Sequence, residues 1–347
     1  MPMNVINQPS ILEYLTHCGK EDFPNGSDYT ARFKAIESLL NESVHPSVTP
    51  MASLHDGNYL TGHGIPHIRT VMTRVSDLLD SSTNRLSCYE LYLLLAAIHV
   101  HDVGNLQGRK DHQSAAANVV NKYDILFGTD DVEKRLIFRI ADAHTGRRGN
   151  DKDKISKLQE TDHVLGKTVH PRFLAALLRF ADELADDRSR TSKTELDSGI
   201  IPKDSEIYHR YAYALHSVVV SGNTVRMSFD MTSEDAGKTF LRADGQEVFL
   251  LDEIYDRMIK MHCERIYCMR FLRPTVSIDR IDVSITVYGP RYIDDPLATI
   301  NFRMEEAGYP TESSRGILGV CPELENHSYG SPLTGKTLKD YLDRSAQ

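Results

Sequence analysis

Six residues with metal-ligand chemistry, His67, the adjacent pair His101-Asp102, His112, His144 and Asp182, are spread along the chain at intervals of about one helix. The pair closes a strongly apolar segment, since from Leu91 to Ala97 the only side-chain polar atom is the Tyr92 hydroxyl. Burying an adjacent imidazole and carboxylate there is unfavourable unless something compensates their polarity. A divalent cation is the most direct compensation. Imidazole and carboxylate donors without a thiolate suit Fe, Mn, Zn or Mg rather than a structural cysteine-type zinc site. Four histidines and two aspartates suffice for one or two ions, with Asp102 as the natural bridge. Two ions about 3.5–4 Å apart acidify water and clamp an attacked phosphoryl oxygen.

The helices that must carry these residues are legible from their apolar period. Pro66 opens a helix bearing Ile68, Val71, Met72, Val75, Leu78 and Leu79, on which His67 shares a stripe with Val71, Val75 and Leu78. Cys88–Asp102 is apolar on nearly all sides, which predicts a central helix enclosed by its neighbours. Asp111 is placed to cap a helix running to about Tyr123, with His112 in its first turn. Asp131–His144 shows Val132, Leu136, Ile137 and Ile140 on one face and ends on His144. Pro171 opens a helix over 172–186, with Asp182 four residues after Leu178. Inward-facing polar ends of apolar helices converge, so these residues are expected to form one site. Arg109, Arg147 and Arg179 are the candidates to bind phosphoryl oxygens. Arg179, three before Asp182, equally suits a partner role on the same helix face. His99 points away from His101 and reads as structural. His63, between Gly62 and Gly64, suits a turn at the pocket mouth.

The rest of the chain divides by pattern. Residues 1–60 read as an N-terminal extension, with a helix near Tyr29–Leu40 and a loop from Asn41 to Leu60. Residues 61–205 hold the helices just described, 206–290 an α+β appendage, and 291–347 an irregular tail with one short helix at Leu338–Leu342. The appendage shows alternation from Ser217 to Phe229 around Gly222-Asn223, a hairpin signal, then a long helix over Val248–Leu272 and a strand over Ile281–Val287. The expected fold class is therefore mainly α, a helical bundle with an appended smaller α+β unit. A net charge of −9 over 347 residues argues against duplex nucleic acid or an anionic membrane as partner. The N-terminus lacks a signal-peptide pattern and the longest apolar run, Leu91–Val100, is too short to span a bilayer, so a cytoplasmic location is expected. Cys18, Cys88, Cys263, Cys268 and Cys321 form no CxxC pair, and core packing is expected of them.

Two local patterns mislead. His55-Asp56 repeats the dyad but falls in the expected loop, without an apolar helix before it. Gly330 to Thr337 satisfies the phosphate-loop pattern letter for letter, yet no buried strand precedes it and no second carboxylate motif follows.

The ordered set His67, His101-Asp102 and Asp182 resembles the HD-domain metal-dependent phosphohydrolase superfamily over roughly residues 60–190. Gly64-Ile-Pro-His67-Ile-Arg-Thr-Val71 looks like its opening helix, His101-Asp-Val-Gly104 like its defining motif, and Leu178-Arg-Phe-Ala-Asp182 like its closing helix. Asp111-His112 and Ala143-His144-Thr-Gly-Arg147 resemble its six-ligand dinuclear branch, close to the HD enzymes that split symmetrical dinucleoside tetraphosphates. The wider layout is similar to HD proteins associated with bacterial conflict and phage-defence systems. Asn105 stands where many relatives carry lysine, Ala143-His144 where many have a double histidine, and the HD-GYP signature is absent. The resemblance implies an HD helical bundle that hydrolyses a phosphoester or phosphoanhydride of a small nucleotide. Asp102 would work beside the metal-activated water, and His112 or His144 would protonate the leaving oxygen. It also implies two other classes, a di-iron HD-type oxygenase and a non-catalytic nucleotide-sensing subunit of a defence system. A second copy of the chain is a further expected partner.

Overall fold

The computed structural model describes residues 10–56, 59–80, 86–107, 124–128, 130–145, 153–290, 295–306 and 316–345. The expected helix from Asp111 to Tyr123, and with it His112, lies outside these residues, as do Arg109 and Arg147. Among the described residues the fold is mainly α with a smaller β part. It divides into two compact units, the first comprising residues up to 57, 63–185 and 268–276, the second 58–62, 186–267 and 277–347.

The first unit is built around one helix. Its helices are α1 (Ile11–Thr16), α2 (Tyr29–Ser43), α3 (His45–Asp56), α4 (Ile65–Asp80), α5 (Cys88–Val100), α6 (Asp131–Asp142) and α7 (Pro171–Glu183). A small hairpin of β1 (Asp162–Val164) and β2 (Lys167–Val169) precedes α7. Every residue of α5 from Tyr89 to Val100 is buried, and helices α1, α2, α4, α6 and α7 all touch it. This is why its sequence shows no polar face. Leu93, Leu94 and Leu95 alone, fully buried, contribute about 1.5–3 kcal/mol each. Ser87 and Glu90 form a reciprocal capping box that sets where α5 begins.

Several expectations are corrected here. The segment 41–60 is largely helix α3, despite Pro50 inside it. Burial of His45 and Val48 on this helix outweighs the missing proline hydrogen bond. His55-Asp56 is accordingly the end of a helix, not part of a loop. On α6, Val132 is 48% exposed, and Glu133 is buried in its place beside Leu136, Ile137 and Ile140. The Glu133 carboxylate accepts hydrogen bonds from Tyr29 Oη (2.8 Å) and Tyr89 Oη (2.7 Å) and pairs with Arg32 Nη1 at 3.0 Å. These partners, all distant in sequence, satisfy a charge that period alone would place outside. Cys18 and Cys88 form a disulfide across a separation of 70 residues, tying α1 to the start of α5. A cross-link of that span removes about 4 kcal/mol of loop entropy from the unfolded chain. Cys268 and Cys321 are buried as expected, whereas Cys263 is exposed.

In the second unit, β3 (Leu215–Ser221) and β4 (Thr224–Thr232) form the expected hairpin, and β7 (Arg280–Tyr288) and β8 (Ala298–Glu305) complete a sheet of order β3-β4-β7-β8. The short strands β5 (Thr239–Leu241) and β6 (Glu247–Phe249) pair separately. Strands β4 and β7 are parallel, with Thr224 opposite Arg280 and Thr232 opposite Tyr288, so the chain must cross over between them. Helices α8 (Lys203–Ala214), α9 (Leu250–Leu272) and α10 (Gly335–Ser345) accompany the sheet, and α9 serves as that crossover before its end enters the first unit. Strand β8 lies in the segment read as an irregular tail. Its alternation of buried Ala298, Ile300, Phe302 and Met304 with exposed neighbours is the period of a strand with one solvated face. Helix α10 also extends well beyond Leu338–Leu342.

The phosphate-loop lookalike opens α10, but a carboxylate occupies its mouth: Gly335 N–H donates to Asp252 Oδ1 at 2.9 Å. A Cβ on Gly335 would come within 2.1 Å of the Phe249 side chain. The glycine there serves packing, and the site repels phosphate.

His262, on α9, is 6% exposed, and burial, reinforced by Arg265, lowers its pKa from 6.5 to about 4. The unfolded chain therefore takes up a proton first, so stability is present above pH 6.5 and is lost as pH falls towards 4. Between pH 7 and pH 5 this one group removes about 2 kcal/mol. Denaturant unfolding of His262→Leu is expected to show a correspondingly weaker loss between those pH values than the parent chain. Identical pH dependence in the two proteins would contradict the assignment.

Candidate metal centre

Four helix ends meet at one place in the first unit. His67 is the third residue of α4, His101 is the C-cap of α5 with Asp102 next to it, His144 follows the C-cap of α6, and Asp182 lies in the last turn of α7. Three of these ends are helix C-termini, whose partial negative charge favours a cation. The stripe that carries His67 inward is Val71, Val75 and Leu78, all essentially unexposed.

Ligand atoms of His67, His101 and Asp102 lie within 4.8 Å of one another. His67 Nε2 is 3.1 Å from Asp182 Oδ1 and 3.6 Å from Asp102 Oδ2. His101 Nε2 is 3.2 Å from Asp102 Oδ2 and 3.6 Å from Asp182 Oδ1. His144 Nε2 stands 3.7 Å from Asp102 Oδ1, and its ring meets that of His101 edge-on at 4.9 Å. All are buried except Asp182, whose side chain is 25% exposed.

The hydrogen bonding around these rings sets which nitrogen faces the centre. His101 Nδ1 donates to the Ile98 carbonyl at 2.7 Å, and His144 Nδ1 donates to the Ala141 carbonyl. A carbonyl only accepts, so Nδ1 of each ring carries a proton and Nε2 is the atom turned to the carboxylates. The Nε2 atoms of His67 and His101 are buried without a hydrogen bond of their own. Two orphaned imidazole nitrogens aimed at two carboxylates are what a divalent ion would satisfy, and the donor set fits one. Asn105 Nδ2 donates to Asp102 Oδ1 at 3.1 Å and holds that carboxylate in register. Where a lysine would add charge, Asn105 orients.

The electrostatics agree. Burial raises the pKa of Asp102, but His101, then His63 and His144, outweigh it and hold the carboxyl well below its usual range. Asp182 behaves likewise, with His101 and His67 overriding burial. Burial depresses the His101 pKa, yet the adjacent Asp102 and Asp182 raise it well above normal. The two carboxylates thus seek positive charge at this point, from a proton or from an ion.

Of the sequence candidates, the structure brings His67, His101, Asp102, His144 and Asp182 together. Arg179 is 5% exposed on α7, buried in the bundle one turn before Asp182. His99 is core, as expected: its Nδ1 is 3.3 Å from His45 Nε2, and its ring lies edge-on to Phe33. His63 is buried, its ring 5.7 Å from that of His67. Sequence alone does not reveal His45, because the helix that carries it, with its proline and polar residues, has the composition of a loop. Burial, then the charges of His101 and His67, lower its pKa from 6.5 to about 4, against Asp102. A second gathering of ligand types, Cys18, Asp22 and Cys88, has both sulfurs committed to the disulfide.

A model of the HD-CE family matches residues 51–259, more than half of the chain. No curated protein and no solved structure matches it.

Replacing Asp102 by alanine is expected to abolish stoichiometric Mn²⁺ binding in a calorimetric titration. Asn105→Ala, which removes only the orienting hydrogen bond, should weaken it by roughly 10–100-fold. Parent-like Mn²⁺ affinity in Asp102→Ala would contradict the ligand assignment.

Proposed function

This chain belongs to the HD-CE family, and from that premise we propose that it is a metal-dependent hydrolase of the HD type, cleaving a phosphoester or phosphoanhydride of a small nucleotide. The observation that carries the reading is the pair of orphaned Nε2 atoms of His67 and His101 facing Asp102 and Asp182. His67, His101, Asp102 and Asp182 would hold one ion. His144, with His112 outside the described residues, would hold a second. A divalent ion bound there supplies Lewis acidity, acidifying water and drawing charge from a phosphoryl oxygen.

The chain's own groups supply the rest. Asp102, ionised and held by Asn105, is positioned to accept a proton from attacking water. Of His112 and His144, the one that holds no ion would protonate the leaving oxygen; in His144, with Nδ1 committed to the Ala141 carbonyl, that acid would be a protonated Nε2. Arg109 and Arg147 remain the proposed phosphate-binding side chains, and the buried Arg179 a support for the α7 end of the site. Mn, Fe, Mg and Zn all suit the donor set, and the preferred substrates are dinucleoside polyphosphates, (deoxy)nucleoside triphosphates and signalling nucleotides. The association with phage defence, the cytoplasmic location and self-association belong to the same proposal.

The test is phosphate or nucleotide release from a panel of those substrates, with each of the four metals and with chelator. Activity with at least one pair is expected, lost on chelation and reduced by roughly 100-fold or more in Asp102→Ala. Absence of cleavage with every pair, or undiminished cleavage by the variant, would overturn the proposal.

A further inference from the structure

A cleft of about 740 Å³ lies in the first unit at the opposite ends of α5 and α7 from the metal ligands. It is lined by Glu90 of α5, by Arg172 and Phe173 of α7, and by Arg270, Phe271 and Arg273 at the end of α9 and just beyond it. All of these residues belong to the first unit. Along either helix, the cleft residue and the metal ligand are separated by roughly 15 Å, so the two sites are distinct. The volume lies in the range of small-molecule sites.

The charges in this cleft select an anion. Arg172 is fixed in place, its Nε donating to the Leu158 carbonyl at 2.7 Å and its Nη2 to the Ser156 carbonyl at 2.9 Å. Nη1 of the same guanidinium stands 3.9 Å from the carboxylate of Glu160, a side chain 85% exposed. So exposed a pair is worth little, and an incoming anion displaces it. The Glu90 carboxylate is engaged by its own neighbours, and the three arginines outnumber the two carboxylates of the lining, Glu90 and Glu160. Glu90 Oε1 accepts from the backbone N–H and Nδ1 of His170, and Oε2 from the backbone N–H and hydroxyl of Ser87. Arg270 and Arg273 add two cations from a segment about 100 residues later in the chain. In a chain of net charge −9, three arginines around one concavity run against the bulk composition.

The walls select an aromatic body. Phe173 and Phe271 line the cleft, and the Arg270 guanidinium lies 5.3 Å from the Phe271 ring centroid. Arginine planes and phenylalanine faces together are the usual means of holding a nucleobase while guanidinium forks take its phosphate.

We propose that this cleft is a second ligand site, separate from the metal centre, and that it binds a nucleotide, with its phosphate on Arg172, Arg270 and Arg273 and its base against Phe173 and Phe271. The assignment does not depend on the hydrolase reading, since it uses none of the metal ligands.

The test is equilibrium dialysis of the full chain in chelator, so that no metal centre contributes. The probes are AMP, GMP, CMP, UMP and inorganic phosphate, each up to about 1 mM. At least one nucleotide is expected to bind with one-to-one stoichiometry and more tightly than phosphate. The double variant Arg270→Ala/Arg273→Ala, at exposed positions, should weaken it by roughly tenfold or more. Phe271→Ala should weaken the nucleotide but not phosphate, and Asp102→Ala should change neither. No nucleotide binding, binding undiminished in the double variant, or phosphate binding as tightly as every nucleotide would each overturn the proposal. Circular dichroism of the variants establishes that their fold is retained.

Discussion

Negative charge concentrated at the end of the most deeply buried helix is the constraint on which the first unit turns. Asp102 and Asp182 face each other's histidines, and three helix C-termini add their partial charges at the same point. An apolar interior does not tolerate this without a counter-charge. The packing of α5 supplies the rigidity. With every residue from Tyr89 to Val100 buried, its end has no freedom to turn the dyad towards solvent. The outer helices then have to bring their own polar ends to the same place. Stability and site are thus two consequences of one arrangement, the apolar length of α5 providing the first and its polar terminus the second.

What was legible in the sequence follows from this arrangement. His67, His101, Asp102, His144 and Asp182 each sit in phase with an apolar stripe, or at its end, and the phase alone predicts that they converge. The residues that escaped reading owe their positions to contacts made far away in the chain. Glu133 is buried because Tyr29, Tyr89 and Arg32 meet it, and no local pattern announces partners more than forty residues distant. His45 sits on a helix with an internal proline, a residue whose local preference is overruled by the burial of His45 itself and Val48. The Cys18–Cys88 bond is equally invisible, because a separation of 70 residues matches no spacing rule. Strand β8 was hidden for a different reason. Its alternation is clear, but the surrounding glycines and prolines masked it.

The second unit follows simpler rules. Period-two burial along β4, β7 and β8 leaves one face apolar and the other polar, and the parallel β4–β7 pair requires the long crossover helix α9. No helix among the described residues is long and apolar enough to cross a membrane. The family match extends to residue 259, well into this unit, so the shared features of the family include more than the ligand-bearing bundle.

The most direct measurement on the central claim is a crystal structure of the protein grown with Mn²⁺, with diffraction recorded at a wavelength where manganese scatters anomalously. The expected result is an anomalous peak about 2.0–2.3 Å from the Nε2 atoms of His67 and His101 and from carboxylate oxygens of Asp102 and Asp182. A fully ordered site with no peak there, and with those carboxylates simply paired to protonated histidines, would contradict it.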